Sequence, residues 1–212
     1  MVTSDSIGGR IRDKHGRLER LADGRPVVLE LGCGPRKRHE AAIGIDALDY
    51  ESVDVVGDVF DVLARVPDGV VDAVHSSHFV EHLEDPGRLI AELRRVLKVG
   101  GIVTTVAPHF SNPYYYSDYT HRRAFGLYSF SYLADDAIFR RRVPRYAGDT
   151  GFELVSVHLG FKAPPPFYLR YALRRILEVV VNLSAYTQEA YEAGWCYWFP
   201  CYEVEYVIVR RR

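Results

Sequence analysis

A chain of 212 residues, 48% hydrophobic and 26% charged, has the length and balance of one globular domain with a sizeable core. Its formal net charge of −1 calls for neither nucleic acid nor an anionic membrane surface, and no apolar run reaches the roughly 20 residues that span a bilayer. Three cysteines (Cys33, Cys196 and Cys201) give no CxxC pair and no metal-ligand spacing, and the N-terminus carries no apolar leader region, so a cytoplasmic location is expected.

Residues 1–9 are small and polar and read as disordered. Ile11, Leu18 and Leu21 predict a short basic amphipathic helix over 11–21, stopped by Gly24 and Pro26. Val27 to Leu31 reads as a buried strand that runs into Gly32-Cys33-Gly34. Glycine suits such a turn because without a Cβ the backbone takes positive φ and can lie against a ligand. In open α/β sheets nucleotide-like ligands bind outside the carboxyl ends of the strands, where this turn falls. Only 35–42 separate it from the next strand at 43–46, too few for a full crossover helix, so a loop or a stub of helix is expected.

Further strands are expected at 53–58 and 71–77. Pro86 opens an amphipathic helix with Leu89, Ile90, Leu93, Val96 and Leu97 at helical spacing, and Gly100-Gly101 leads into a strand at 102–106. Beyond Pro108 the chain turns rich in His, Tyr, Ser and Phe. A helix around 129–139, a strand at 152–159, a break at Pro164-Pro165-Pro166, a helix over 168–183, an irregular aromatic segment over 186–202 and a strand at 203–209 complete the reading. Strands alternating with connections argue for a parallel sheet covered on both faces. The basic runs 36–38, 140–142 and 210–212 read as solvated surface.

The succession Glu30-Leu31-Gly32-Cys33-Gly34, Gly44-Ile45-Asp46, Gly57-Asp58, Ser77-His78-Phe79-Val80-Glu81-His82-Leu83 and Leu97-Lys98-Val99-Gly100-Gly101 resembles class I S-adenosylmethionine-dependent methyltransferases, domain type 11, over roughly 27–110. The resemblance implies a Rossmann-like α/β fold, with a mostly parallel sheet of seven strands whose last strand is antiparallel. It implies a single domain with an N-terminal arm (1–26), a cofactor-binding core (27–161), an aromatic-rich insertion between the last two strands (162–201) and a final strand (202–212). It places Glu30, Gly32, Cys33 and Gly34 around the methionine part of the cofactor, Asp46 on the ribose, Asp58 and Val59 beside the adenine, and Ser77 and His78 near the methyl-bearing sulfur. The chain departs from the family pattern at the third glycine, where Pro35 and Arg36 stand. Structural readings stand beside these: Glu30 could cap a turn, Asp58 could cap a helix, and His75 suits packing.

The acceptor side is expected in 109–123, which concentrates imidazoles, a carboxylate and aromatic rings after the fifth strand. His109 or His121 could take the proton of an acceptor hydroxyl as the methyl arrives, and Asp118, three residues before His121, would face it in a helix. The same groups could hold a divalent cation such as Mg2+. Glu81-His82 is a second candidate pair, also suited to capping. Asn112-Pro113-Tyr114-Tyr115 has the wrong position and one proline too few for the signature of amino-group methyltransferases, which favours transfer to oxygen.

The Gly-Cys-Gly-Pro-Arg-Lys opening and the Ser-Asp-x-Thr-His segment are similar to methyltransferases of bacterial polysaccharide clusters and of methylmannose polysaccharides. That similarity points to a hydroxyl of a sugar or oligosaccharide as acceptor, with no nucleic-acid or membrane partner. The aromatic segment 164–201 is expected to cover the acceptor pocket or to join a homodimer, against burial in its own domain. Two rival readings are a nicotinamide-dependent oxidoreductase, disfavoured by Lys37 where a third glycine belongs, and a catalytically silent partner subunit.

Overall fold

The structure, a computed structural model, describes residues 11–21, 23–144, 146, 148–163 and 166–211. The expectations for 1–9 and for Pro164-Pro165 fall outside these residues.

The core begins with β2 (Val28–Leu31), whose Leu29 and Leu31 are fully buried. It pairs in parallel with β3 (Ile43–Asp46) on one side and with β5 (Val71–Ser77) on the other. Outside β3 lies β4 (Val55–Val56), and next to β5 lies β6 (Leu97–Pro108), both again parallel. The far side is closed by β8 (Phe152–Gly160) and β9 (Glu203–Arg210). The later strand inserts between β6 and β8 and runs antiparallel to both. Those seven strands are the expected sheet.

Two further pairs widen it to nine: β1 (Arg12–Asp13) runs antiparallel to β4, and β7 (Asp135–Asp136) runs parallel to β8. Here the structure corrects the sequence reading. The arm at 11–21 is not an amphipathic helix, since Arg12 and Asp13 pair with Val56 and Val55 and only a 3-10 turn, Leu18–Arg20, follows. The region 129–139 likewise holds a 3-10 turn (Ser129–Tyr132) before β7.

Among the described residues there are four α-helices, and three of them are partly or wholly legible in the sequence as amphipathic stretches or caps. A short α1 (Val59–Leu63) follows β4 and is capped by Asp58, which accepts from the Phe60 and Asp61 amides. In α2 (Pro86–Val96) the Asp85 carboxylate accepts from the Arg88 amide, and Leu89, Ile90, Leu93 and Val96 bury one face, each contributing about 1.5–3 kcal/mol. Between β8 and β9 come α3 (Tyr168–Val181) and α4 (Ala185–Gly194). The segment at 186–202 is therefore helical in its first half, where sequence reading expected irregular chain. The reciprocal bonds between Ser184 and Thr187 start α4. Tyr206 of β9 is fully buried, stacks on Phe130 at 4.2 Å, and donates its hydroxyl to the Gly126 carbonyl at 2.5 Å. Among the described residues no helix is long and apolar enough to cross a membrane.

Candidate active site

The carboxyl ends of β2, β3, β4 and β5 come together because the strands are parallel and in register, which brings Leu31 beside Ile45 and Ser76. Gly32 and Gly34 leave β2 with φ of 64° and 60°, the left-handed region that glycine tolerates. The Gly32 amide donates to the Ile45 carbonyl at 2.9 Å, and the Gly34 amide donates to Asp46 Oδ2 at 2.8 Å. A Cβ on Gly32 would lie 2.6 Å from the Phe79 ring, so the turn is pressed against that side chain.

The crossover 35–42 is a loop without helix. Its backbone is tied down by side chains instead. Buried Glu30 accepts from the amides of Arg38 and His39, each at 2.9 Å. Lys37 Nζ donates to the Ala42 carbonyl at 2.9 Å and to buried Asp54 Oδ2 at 2.8 Å, and the same oxygen accepts from the Gly44 amide. Lys37 is thus an anchor at the position where a dinucleotide fingerprint would have glycine.

A cavity of about 410 Å³ opens above this turn, lined by Gly32, Gly34, Asp46, Asp58, Val59 and His78 among others. These are six of the nine residues expected to hold the cofactor. Sequence reasoning missed Tyr50, Phe60 and Phe79 on the same wall; their only signal was proximity to the strand ends. Glu30 serves the loop, Cys33 is buried with its thiol pushed up to about 12 by desolvation, and the Ser77 hydroxyl is buried and accepts or donates no hydrogen bond. None of these three lines the cavity.

His78, at φ 54°, stands at the edge of the cavity. Its Nε2 lies 3.5 Å from Glu203 Oε2 and its Nδ1 lies 3.4 Å from Glu81 Oε1. These ion-pair contacts push its pKa up to about 9, Glu203 first and Glu81 second, against the opposing effect of burial. Glu203 also pairs with Lys162 at 2.5 Å, and burial of its carboxyl is outweighed by His78 and Lys162, which hold its pKa low. Glu203 and Lys162 belong to a second, larger cavity of about 880 Å³, lined also by Tyr114, Tyr171, Tyr202, Arg175 and Glu178. The His78–Glu203 contact joins the two cavities.

Beside His78, the expected pair Asp118 and His121 comes together through a turn, not a helix, with His121 Nε2 3.6 Å from Asp118 Oδ2. The Thr120 hydroxyl and amide both donate to Asp118 Oδ1 and hold its carboxyl below the usual range. His121 Nδ1 lies 2.8 Å from the Tyr115 carbonyl, a contact in which Nδ1 is the donor. The same Nε2 is 4.0 Å from Glu81, and the Tyr115 ring stacks on the imidazole at 4.9 Å. Glu81 is wholly buried, and both of its carboxylate oxygens lack a hydrogen bond. Ligand atoms of Glu81, His82 and His121 lie within 4.8 Å of one another.

His109 is separate in character from this cluster. It is fully buried, with Nε2 donating to Glu192 at 3.0 Å and Nδ1 accepting from the Ser111 amide at 3.1 Å. Both ring nitrogens are engaged in packing the insertion against the sheet. Asn112 is also spoken for, its amide donating to the Tyr202 carbonyl and its oxygen accepting from the Tyr114 amide.

The profile of the methyltransferase-domain family matches residues 29–105, from β2 through most of β6. Over 199 residues the chain is 26% identical to an uncharacterized 37.1 kDa protein of a Streptomyces fradiae transposon; the match takes in 82% of this chain and 55% of that protein, so the chain spans about half the length of the curated relative it matches. A crystal structure of an S-adenosylmethionine-dependent methyltransferase from Archaeoglobus fulgidus superposes with a TM-score of 0.56 at 20% identity, covering 92% of this chain and 91% of that one. Phosphoethanolamine N-methyltransferase 2 of Haemonchus contortus gives 0.51 at 15% identity, covering 92% of this chain and 51% of that one. Residues 29–105 thus match the methyltransferase-domain model, and the chain as a whole shares the fold of the solved S-adenosylmethionine-dependent methyltransferase from Archaeoglobus fulgidus.

Proposed function

We propose that the chain moves the methyl group of S-adenosylmethionine to a hydroxyl of a sugar or oligosaccharide. The observation that carries this reading is the meeting of two cavities at His78 and Glu203. The smaller has the motif residues and suits the cofactor: Asp46 faces the ribose, and Asp58 and Val59 flank the adenine. Each Asp46 oxygen already accepts one backbone amide, from Gly34 or Leu48, and keeps a lone pair for a ribose hydroxyl. The larger has Tyr114, Tyr171 and Tyr202 for the apolar faces of a sugar ring and His158, Lys162, Arg175 and Glu178 for its hydroxyls. The cofactor of the Haemonchus enzyme is S-adenosylmethionine, in keeping with this assignment.

The reaction is an in-line displacement. The acceptor oxygen forms a bond to the methyl carbon, the carbon–sulfur bond breaks to leave S-adenosylhomocysteine, and the hydroxyl proton goes to His121 Nε2. Asp118 orients that imidazole and stabilises its cationic form. His109, with both nitrogens bound, takes no part. The occupied Asn112 side chain is in keeping with oxygen rather than nitrogen as the acceptor atom.

A second reading of the same cluster rests on Glu81. The charge of buried Glu81 is met by His78 at 3.4 Å, short of a hydrogen bond, and His82 and His121 supply two further imidazoles beside it. One carboxylate and two imidazoles fit Mn2+, Co2+ or Zn2+ better than Mg2+, which prefers oxygen. Bound there, such an ion would polarise the acceptor hydroxyl.

Binding measurements with S-adenosylmethionine and with NAD, followed by methyl transfer over a panel of sugars and short glycans, test the main reading. No affinity for the methyl donor sinks it. His121→Ala and Asp118→Ala are each expected to lower turnover about 10²-fold while donor affinity stays within a factor of a few. Loss of activity on chelation, restored by Mn2+ or Zn2+, selects the cation reading over the free base.

A further inference from the structure

The stretch 47–54, between β3 and β4, forms one wall of the smaller cavity. Ala47, Leu48 and Tyr50 line it, and the Ser52 hydroxyl donates to the Gly34 carbonyl of the glycine turn at 2.7 Å. It contains no helix or strand of its own. A wall made from a loop is only as well placed as the groups that hold it.

The N-terminal arm holds it. Pairing of β1 with β4 sets Arg12 opposite Val56, two residues before Asp58. Lys14 Nζ donates to the Tyr50 carbonyl at 2.6 Å and lies 2.7 Å from Asp49 Oδ1, while the Lys14 amide donates to the Asp54 carbonyl at 2.9 Å. Arg12 reaches the other Asp49 oxygen. A Cβ on Gly57 would lie 3.2 Å from Ile11 Cγ1, so the arm also presses on the chain between Val56 and Asp58. Exposure ranks the two cations. The Arg12 side chain is 60% exposed and its Asp49 partner 49%, so water screens that pair and it adds little. Lys14 is 20% exposed and spends its ammonium on two oxygens of the loop, bonds strengthened by its charge. The Tyr50 carbonyl also accepts from the Val53 amide at 3.1 Å, so Lys14 grips the loop at its own internal turn.

We infer that the arm is a strap for the cofactor, with Lys14 as its positioning residue. Lys14 does not line the cavity; it holds Leu48 and Tyr50 in the wall beside Asp46 and Asp58. The inference rests on the reading above, in which Asp46 faces the ribose and Asp58 flanks the adenine. Linkage makes the effect reciprocal: what the docked arm adds to the affinity for the cofactor, the bound cofactor adds to docking of the arm.

Both directions can be read with S-adenosylhomocysteine alone. In calorimetric titration Lys14→Met should raise Kd about 10-fold, Lys14→Arg should return it to within about threefold of the wild type, and Arg12→Gln should stay within about twofold. Trypsin supplies the reverse measurement, because the arm carries Arg17 and Arg20. Saturating S-adenosylhomocysteine should slow wild-type cleavage after these two residues at least about fivefold, and leave cleavage after Arg170, on α3, unchanged. In Lys14→Met that slowing should vanish.

An affinity of Lys14→Met within twofold of the wild type overturns the strap and leaves the cofactor reading standing. So does equal slowing at Arg17 and Arg170, the mark of general stabilisation of the fold. A wild type without affinity for S-adenosylhomocysteine overturns the cofactor reading and the strap together. If Lys14→Met does not fold, the wild-type comparison of Arg17 with Arg170 decides.

Discussion

Replacing Gly32 and Gly34 by alanine separates two effects that the turn combines. Both residues have φ near 60°, where an L-residue costs about 1–2 kcal/mol. At Gly34 a Cβ meets nothing within 4 Å, so Gly34→Ala should cost that strain alone. At Gly32 the Cβ would lie 2.6, 2.8 and 2.9 Å from three carbons of Phe79, and overpacking of this kind adds about 1–3 kcal/mol. Gly32→Ala should therefore cost about 2–5 kcal/mol. For a chain of this size that is a fall in thermal midpoint of roughly 4–20 °C, against roughly 2–8 °C for Gly34→Ala. Displacement of Phe79, which lines the cofactor cavity, should also weaken donor binding in the Gly32 variant well beyond the Gly34 variant. Urea denaturation and calorimetric titration with S-adenosylmethionine read the two quantities. Equal losses at the two positions would refute the argument that contact with Phe79, rather than backbone conformation, sets the demand for glycine at 32.

Two other perturbations test the surroundings of the site. His78 has a folded pKa of about 9 against an ordinary 6.5, so the stabilisation it lends is whole below 6.5 and is lost as pH rises through 9. The thermal midpoint of the wild type should fall over that window relative to His78→Gln, and parallel curves would remove the Glu81 and Glu203 contacts from the account. Lys37→Ala should destabilise the fold by about 2–4 kcal/mol, read by urea denaturation, because it leaves Asp54 buried with the Gly44 amide as its main partner. A change under 0.5 kcal/mol would show that the crossover loop does not depend on this pair.

Much of the sheet was legible because buried parallel strands are short apolar runs with glycine or proline at their ends, as at Val28–Leu31 and Val71–Ser77. The motif residues of the cofactor cavity were legible for the same reason: they sit at the strand ends or within three positions beyond them. The arm was misread because Ile11, Leu18 and Leu21 fit a helical period that the pairing of Arg12 and Asp13 with β4 overrides. The start of α4 was hidden because nine aromatic side chains over 164–201 masked the Ser184 cap. His109 and His121 looked equivalent in sequence; only the fold buries one against Glu192 and turns the other toward Glu81. Glu203 carried no signal, since its role depends on β9 arriving beside β6 and bringing it to His78.

That placement of β9 has a bearing on how the protein is made. It pairs along its whole length with β6 on one side and β8 on the other, and Arg210 bonds back to the Leu97 carbonyl across 113 positions. Until it docks, β6 and β8 each present a long row of unpaired amides and carbonyls, flanked by apolar side chains. Such edges recruit other strands, so a nascent or partly unfolded chain has two sticky borders along the line that β9 fills in the finished molecule. Slow closure over so large a sequence separation lengthens that exposure. Yield of soluble protein should thus depend on temperature and chaperones during synthesis more than on the stability of the folded state.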